Sequence, residues 1–332
     1  MSSTVRNIFF LFGVVSIMLM IFGFDLSIEA ITDNLLRAGW WFVWACVLWV
    51  VVYMINTISW HTIIHDGTTQ SRVSYWRIFK FTVSGFALNA VTPVGLMGGE
   101  PYRIMELKEY VGVEKATSST LLYTMMHIFS HFWFWLFSVA LYIIIYGSTL
   151  NLGMGALLLT TVVVCTTAIY FFMKGYRSGF TYSALRTLSR LPLVGKWANR
   201  LCTEKRDSLQ QIDQQIAMLH QARRTTFYTA LGCEFFARVL SSVELMIFLH
   251  LFGIHASLWD AVLMLGFTSL FANALFFLPM QLGAREGGFA MAASGLSLTA
   301  GIGVSMALLI RLRELACIAL GLILIKIGNK SL

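Results

Sequence analysis

The sequence predicts an all-α polytopic membrane protein of about six to eight membrane helices, with two oppositely oriented re-entrant hairpins in an inverted-repeat-like arrangement. Three observations predict it. Apolar blocks of membrane-spanning length recur along the chain, lysine and arginine fall unevenly between them, and each half carries a matched Asn-Pro-Gly-Glu segment.

The apolar blocks come first. Of 332 residues, 58% are hydrophobic and 12% charged, whereas soluble chains run at about 45–50% and about 25%. One helix needs about 20 apolar residues to cross about 30 Å of hydrocarbon. Blocks of that kind lie at about 8–24, 40–60, 78–97, 117–146, 153–173, 226–252, 259–280, 284–300 and 302–325. The first reads as a retained span, because no strongly basic lead precedes it and no small-residue cleavage site follows. The chain reads as one transmembrane domain over 1–332, with a first half of about 1–173, a basic connector of about 174–225 and a second half of about 226–332. Cys46, Cys165, Cys202, Cys233 and Cys317 form no CxxC pair and read as small apolar fillers.

Sidedness comes second. Ten basic residues against three acidic ones lie between Lys174 and Arg224, which places that connector in the cytoplasm. Arg72 and Arg77 in loop 61–77, and Lys326 and Lys330 in the C-terminal tail, fit the same side. Segment 25–39 carries Asp25, Glu29 and Asp33 against Arg37 alone, so it belongs outside. Both termini are therefore expected in the cytoplasm, in a multi-pass protein of the cell membrane. The net charge of +8 is thus a topology signal and no footprint for nucleic acid. Segment 176–202 reads as an interfacial helix, with aromatic and leucine residues set among basic ones. Block 78–97 is entered from the cytoplasm and followed by Arg103, Glu106, Lys108, Glu109, Glu114 and Lys115. A full crossing would strand those charges outside and invert everything downstream. A hairpin that returns keeps the pattern, and 259–280 with 284–300 works alike from the other side.

The matched segments fall at those hairpins. The first runs Asn89-Ala-Val-Thr-Pro93 to Gly98-Gly99-Glu100-Pro101-Tyr102-Arg103, and the second runs from Asn273-Ala through Pro279 and Gly283-Ala-Arg285-Glu286-Gly287. In both, glutamate follows proline by seven positions. Proline ends a helix and glycine permits an unwound stretch. Such backbone is tolerated at membrane depth only inside protein or beside a wet cavity, the general plan of broken-helix transporters.

Ionisable residues sit in or beside the apolar blocks at Glu100, Arg103, Glu234, Arg238, Glu244, Arg285, Glu286, Arg311, Arg313 and Glu314. An unpaired charge at the bilayer centre costs about 2.5–3.5 kcal/mol on insertion scales, so these must pair or line water. Glu234 with Arg238 and Arg311 with Glu314 have the spacing of one helix face. Asn89, Glu100, Arg103, Asn273, Arg285, Glu286 and Arg311 are the candidate substrate-binding residues, because guanidinium groups bind phosphate through two parallel bonds. Glu234, Arg238, Arg313 and Glu314 are candidate supporting ion pairs. His127 and His131, like His61 and His65, are one helical turn apart, but no third ligand is spaced with either pair, so neither metal nor cofactor is expected. No HExxH, Walker A, GxSxG or dinucleotide fingerprint is present, no obvious nucleophile or metal set stands out, and no enzymatic activity is expected.

The paired motifs, followed by Arg311 in the last block, resemble the lysylphosphatidylglycerol synthase transmembrane-region family, whose members are flippase-like. The resemblance covers essentially the whole chain. Gln281-Leu282 stands where the family usually shows a glycine run. The resemblance implies movement of a phospholipid or other lipid-phosphate headgroup between leaflets, without the aminoacyl-transferase domain that some members carry. Expected partners are membrane lipids with anionic or zwitterionic headgroups, together with a second copy of the chain or a lipid-modifying enzyme. Two other readings stand beside it: a membrane-embedded enzyme acting on a lipid phosphate, which the same arginine and glutamate residues would serve equally well, and a non-transporting partner of a lipid-modifying enzyme.

Overall fold

A computed structural model describes residues 4, 6–11, 14–15, 36, 38–65, 73–92, 98–178, 224–274, 284–295 and 300–327. Among these, the chain forms ten α-helices, one short 3-10 turn at Gly147–Thr149 and no strand. In chain order they are α1 Trp40–Ile64, α2 Tyr75–Val91, α3 Gly99–Val111, α4 Val113–Tyr146, α5 Leu152–Ser178, α6 Arg224–Ser241, α7 Val243–Leu251, α8 Leu258–Ala274, α9 Ala284–Gly295 and α10 Ala300–Lys326. Most of the expected first span at 8–24 and most of the expected interfacial helix at 176–202 lie outside the described residues.

Helices α1, α4 and α5 are long and apolar enough to cross a membrane. Helix α10 has 27 residues, which rise about 40 Å, but it carries Arg311, Arg313 and Glu314 near its middle. Among the described residues, α5 and α1 present apolar side chains outward: Leu157, Leu159, Val163, Val164 and Phe171 of α5, and Trp44, Val47 and Val51 of α1, are exposed. Lys80, Arg103, Glu106, Glu234, Glu244, Arg311 and Arg313 are buried. Soluble proteins bury apolar side chains and rarely bury charges without partners. Apolar outside and charged inside is the arrangement a bilayer rewards.

Helices α2 and α3 fold back on one another. Asn89 meets Gly99, Arg103 meets Thr82, and Arg77 meets Tyr110, so the contacts run antiparallel. With 17 and 13 residues, these helices rise about 25 Å and about 20 Å, each short of the hydrocarbon core. Gly112 joins α3 to α4 at φ 82°, a left-handed conformation that glycine adopts without strain. Helices α8 and α9 form a second pair, with Gly288 against Thr268 and Gly287 against Phe271. Pro93 and Pro279, expected at the two hairpin tips, lie outside the described residues.

Two long helices connect the pairs: α4 packs on α3 and α8, and α10 packs on α2 and α9. Helix α1 lies among α2, α4, α6, α7 and α10. One apolar cluster, with Trp60, Phe81, Tyr123 and Phe129, gathers around α1 to α4. A second, with Phe248, Met264, Phe289 and Met306, gathers around α7 to α10.

The expected single block at 226–252 is two helices. The chain breaks at Ser242, where Ser241 Oγ donates to the Arg238 carbonyl at 2.7 Å and Ser242 Oγ donates to the Val239 carbonyl at 2.6 Å. Consecutive serines bonding back to the preceding turn bend a helix. Helix α8 starts with a capping box: Asp260 N–H donates to Ser257 Oγ at 3.2 Å, and Ser257 N–H donates to Asp260 Oδ2 at 3.0 Å.

Candidate functional site

The break between α2 and α3 is closed by side chains. Asn89, in the last turn of α2, accepts a bond from the Gly99 N–H at 2.7 Å and donates from Nδ2 to Glu100 Oε1 at 3.0 Å. The first N–H groups of a helix have no partner within it, and Asn89 supplies one across the gap. Glu100 stands in the first turn of α3, where the positive end of the helix dipole favours a carboxylate. Its Oε1 also accepts from Thr124 Oγ1 at 3.3 Å and Arg103 Nη1 at 3.2 Å.

Arg103 is almost wholly buried. Its guanidinium carbon lies 5.8 Å from the Trp60 ring, 4.8 Å from Phe86 and 5.2 Å from Tyr123, an aromatic cage built from three helices. Nη2 donates to the Thr82 carbonyl at 3.3 Å. Room for the side chain exists because residue 85 is glycine; a methyl group there would collide with the guanidinium. Gly99 presses equally closely on the Gly85 carbonyl. Desolvated cation–π contacts contribute about 2 kcal/mol, so the cage holds the cation where water cannot.

Helix α4 carries a polar stripe at helical spacing: Thr124, His127, Ser130 and His131, then Trp135. Thr124 touches Glu100 in the first hairpin. His127 Nδ1 lies 2.7 Å from Glu234 Oε2 of α6 and packs on Phe86, a wall of the Arg103 cage. Trp135 Nε1 donates to Ser269 Oγ of α8 at 3.0 Å, and the Ser269 carbonyl accepts from Asn273 Nδ2 at 2.7 Å. The stripe thus runs from the first hairpin to the second. Three of its neighbours, Glu100 Oε2, Glu234 Oε1 and the Tyr123 hydroxyl, together with His131 Nδ1, are buried without a hydrogen-bond partner among the described residues. Buried polar atoms of that kind call for a reason.

The expected helix-face pair Glu234 and Arg238 is not a direct contact. Arg238 reaches α4, donating from Nε to Ser130 Oγ at 3.2 Å and from Nη2 to the His127 carbonyl at 3.1 Å. Arg311 and Glu314 do pair, at 3.3 Å. Arg313 takes Glu244 of α7 as partner, through bonds of 2.6 Å and 2.9 Å, with Trp49 Nε1 donating to the same carboxylate at 2.9 Å. Arg285 and Glu286 lie in the first turn of α9, and their side chains lie outside those described. The structure therefore brings Asn89, Glu100 and Arg103 together and ties Asn273 to them through α4. His127, Thr124, Trp49 and Glu244 were not among the sequence candidates for the site. Their helical spacing on α4 was the one available signal for the first two.

An apolar exterior around buried, mutually bonded charges defines a membrane protein with several apolar helices. The family model described as "Lysylphosphatidylglycerol synthase TM region" matches residues 9–321, and the chain belongs to this family. That family places it among membrane proteins related to lipid handling. No curated protein and no solved structure matches it.

Proposed function

We propose that this chain moves a phospholipid, or another lipid-phosphate headgroup, between the leaflets of the cell membrane and performs no covalent chemistry on it. In this reading α2–α3 and α8–α9 re-enter the membrane from opposite sides, and both termini face the cytoplasm. The acyl chains stay in lipid while the headgroup passes the polar stripe of α4. The observation that carries the reading is that stripe, which links the Asn89, Glu100 and Arg103 cluster to Asn273 inside an apolar shell. Charges kept at membrane depth mark substrate or ion paths more often than packing alone. Arg103 and Arg311 would meet the phosphate, with Arg285 and Glu286 contributing from the second hairpin. Glu100 Oε2 offers an acceptor to the amine or hydroxyl of an anionic or zwitterionic headgroup.

The test is reconstitution into phosphatidylglycerol–phosphatidylethanolamine vesicles with fluorescent phosphatidylglycerol in one leaflet. The expected result is faster exchange than in protein-free vesicles, strongly slowed by Arg103→Ala and by Glu286→Gln. Exchange at the protein-free rate defeats the reading. Conversion of the lipid to a new product would favour an enzyme instead.

A further inference from the structure

The contact between His127 and Glu234 asks for more than packing. Glu234 is 1% exposed, while the imidazole of His127 is 25% exposed. The carboxylate is therefore sealed and the imidazole is its opening to the surroundings. Oε2 faces His127 Nδ1 at 2.7 Å, and Oε1 has no hydrogen-bond partner among the described residues. A purely structural carboxylate at this depth would use both oxygens, since an unsatisfied buried acceptor costs about 1–3 kcal/mol. Arg238, one turn along the same helix, could close that gap, yet it donates to Ser130 and to the His127 carbonyl.

The surrounding charges make the balance simple. Around the pair lie Arg103 from α3, Tyr123 and His131 from α4, and Cys233 and Arg238 from α6, with Glu100 bonded to Arg103 and Tyr53 of α1 near Tyr123. Two guanidinium groups, Arg103 and Arg238, stand with two carboxyl groups, Glu100 and Glu234, so the formal charges of the cluster balance. One added proton leaves it with a single positive charge, which complements one headgroup phosphate.

We propose that His127 and Glu234 together bind one proton, and that its uptake and release couple lipid movement to a proton gradient. This rests on the lipid-moving function proposed above. A hydronium ion gives up one O–H bond and is left as water while an N–H bond forms on the imidazole or an O–H bond on Glu234 Oε1, and the reverse transfer to water follows when the headgroup leaves. The 2.7 Å contact lets the proton lie on either group, so it belongs to the pair.

Two measurements on the full chain test this. In nanodiscs, the infrared difference spectrum between alkaline and acidic pH is expected to contain a carboxyl or imidazole band that Glu234→Gln and His127→Gln remove and Glu234→Asp restores. The restoration separates lost chemistry from lost fold. Spectra identical in wild type and Glu234→Gln overturn the proton site. In the phosphatidylglycerol vesicles, an imposed pH gradient is expected to speed lipid exchange severalfold in wild type, and the ratio is expected to fall to one in Glu234→Gln. Wild type that moves lipid equally fast with and without the gradient overturns the coupling and leaves the lipid reading standing. Wild type that moves no lipid under either condition overturns the lipid reading and the coupling with it.

Discussion

Arg313 and Glu244 meet through two parallel hydrogen bonds, Nε to Oε1 and Nη2 to Oε2, with the Arg313 guanidinium carbon 3.9 Å from the centre of the Trp49 ring. The three side chains come from α10, α7 and α1, so the cluster ties the second half of the chain to the central helix. Both charged members are nearly sealed from solvent. Removing one partner of such a pair leaves a bare buried charge and destabilises by about 3–5 kcal/mol, whereas replacing both by apolar groups is often close to neutral. Arg313→Met alone is therefore expected to lower the melting temperature sharply in detergent. Arg313→Met combined with Glu244→Leu should recover most of it. A double variant as unstable as the worse single one would contradict the assignment.

The closest approach in the first hairpin lies between Gly99 and Gly85. A Cβ on Gly99 would strike the Gly85 carbonyl, which is backbone and cannot swing aside; a Cβ on Gly85 would strike the Arg103 side chain, which can. Overpacking of this kind costs about 1–3 kcal/mol. Gly99→Ala is thus expected near the upper end and Gly85→Ala near the lower. A disulfide engineered between α2 and α3 should form more slowly in Gly99→Ala, because the helices are held apart. Equal melting temperatures for the two variants would count against this close crossing.

Asn89 is bound as acceptor and donor at once, to Gly99 N–H and to Glu100 Oε1. Asn89→Ala leaves both groups without that partner and is expected to destabilise by about 1–3 kcal/mol. Asn89→Asp keeps the acceptor for Gly99 but sets a second carboxylate against Glu100, and like charges at that range oppose ionisation of both. Asn89→Asp should therefore be the less stable variant at neutral pH and should recover as the pH falls. Thermal melts at two pH values decide it.

What could be read from the sequence follows the range of the interactions. Helices α1, α4 and α5 were visible as apolar blocks, because a span announces itself by length and composition alone. Glu100 with Arg103, and Arg311 with Glu314, were visible because three residues make one helical turn. The pairs that join helices, His127 with Glu234 and Arg313 with Glu244, are 107 and 69 residues apart. No local pattern names such partners. The hydrogen bonds of Arg238 likewise go to α4, a partner that its spacing from Glu234 on the same helix does not name. The break at Ser242 was hidden because two serines hardly change the hydropathy of an apolar run, although their hydroxyls redirect the backbone.

Arg103 allows charge to be separated from shape. Its cage of Trp60, Phe86 and Tyr123, with the Thr82 carbonyl and Glu100 at its rim, fits a flat cation with several donors. Lysine brings the same charge as a point on a flexible stem and cannot meet the carbonyl and the carboxylate together while lying on the rings. Arg103→Lys leaves Glu100 with a cation nearby, so folding should survive with a loss of about 1.5–3 kcal/mol, the ordinary range for a hydrogen bond to a charged group. Lipid exchange should fall further, by about tenfold, because phosphate recognition depends on the planar fork. Arg103→Ala should differ in kind, losing fold as well as function through the unpaired carboxylate. The measurement sets melting temperature against exchange rate for both variants in one vesicle composition. If Arg103→Lys exchanges lipid as fast as wild type, the guanidinium is a structural post and the phosphate is held elsewhere.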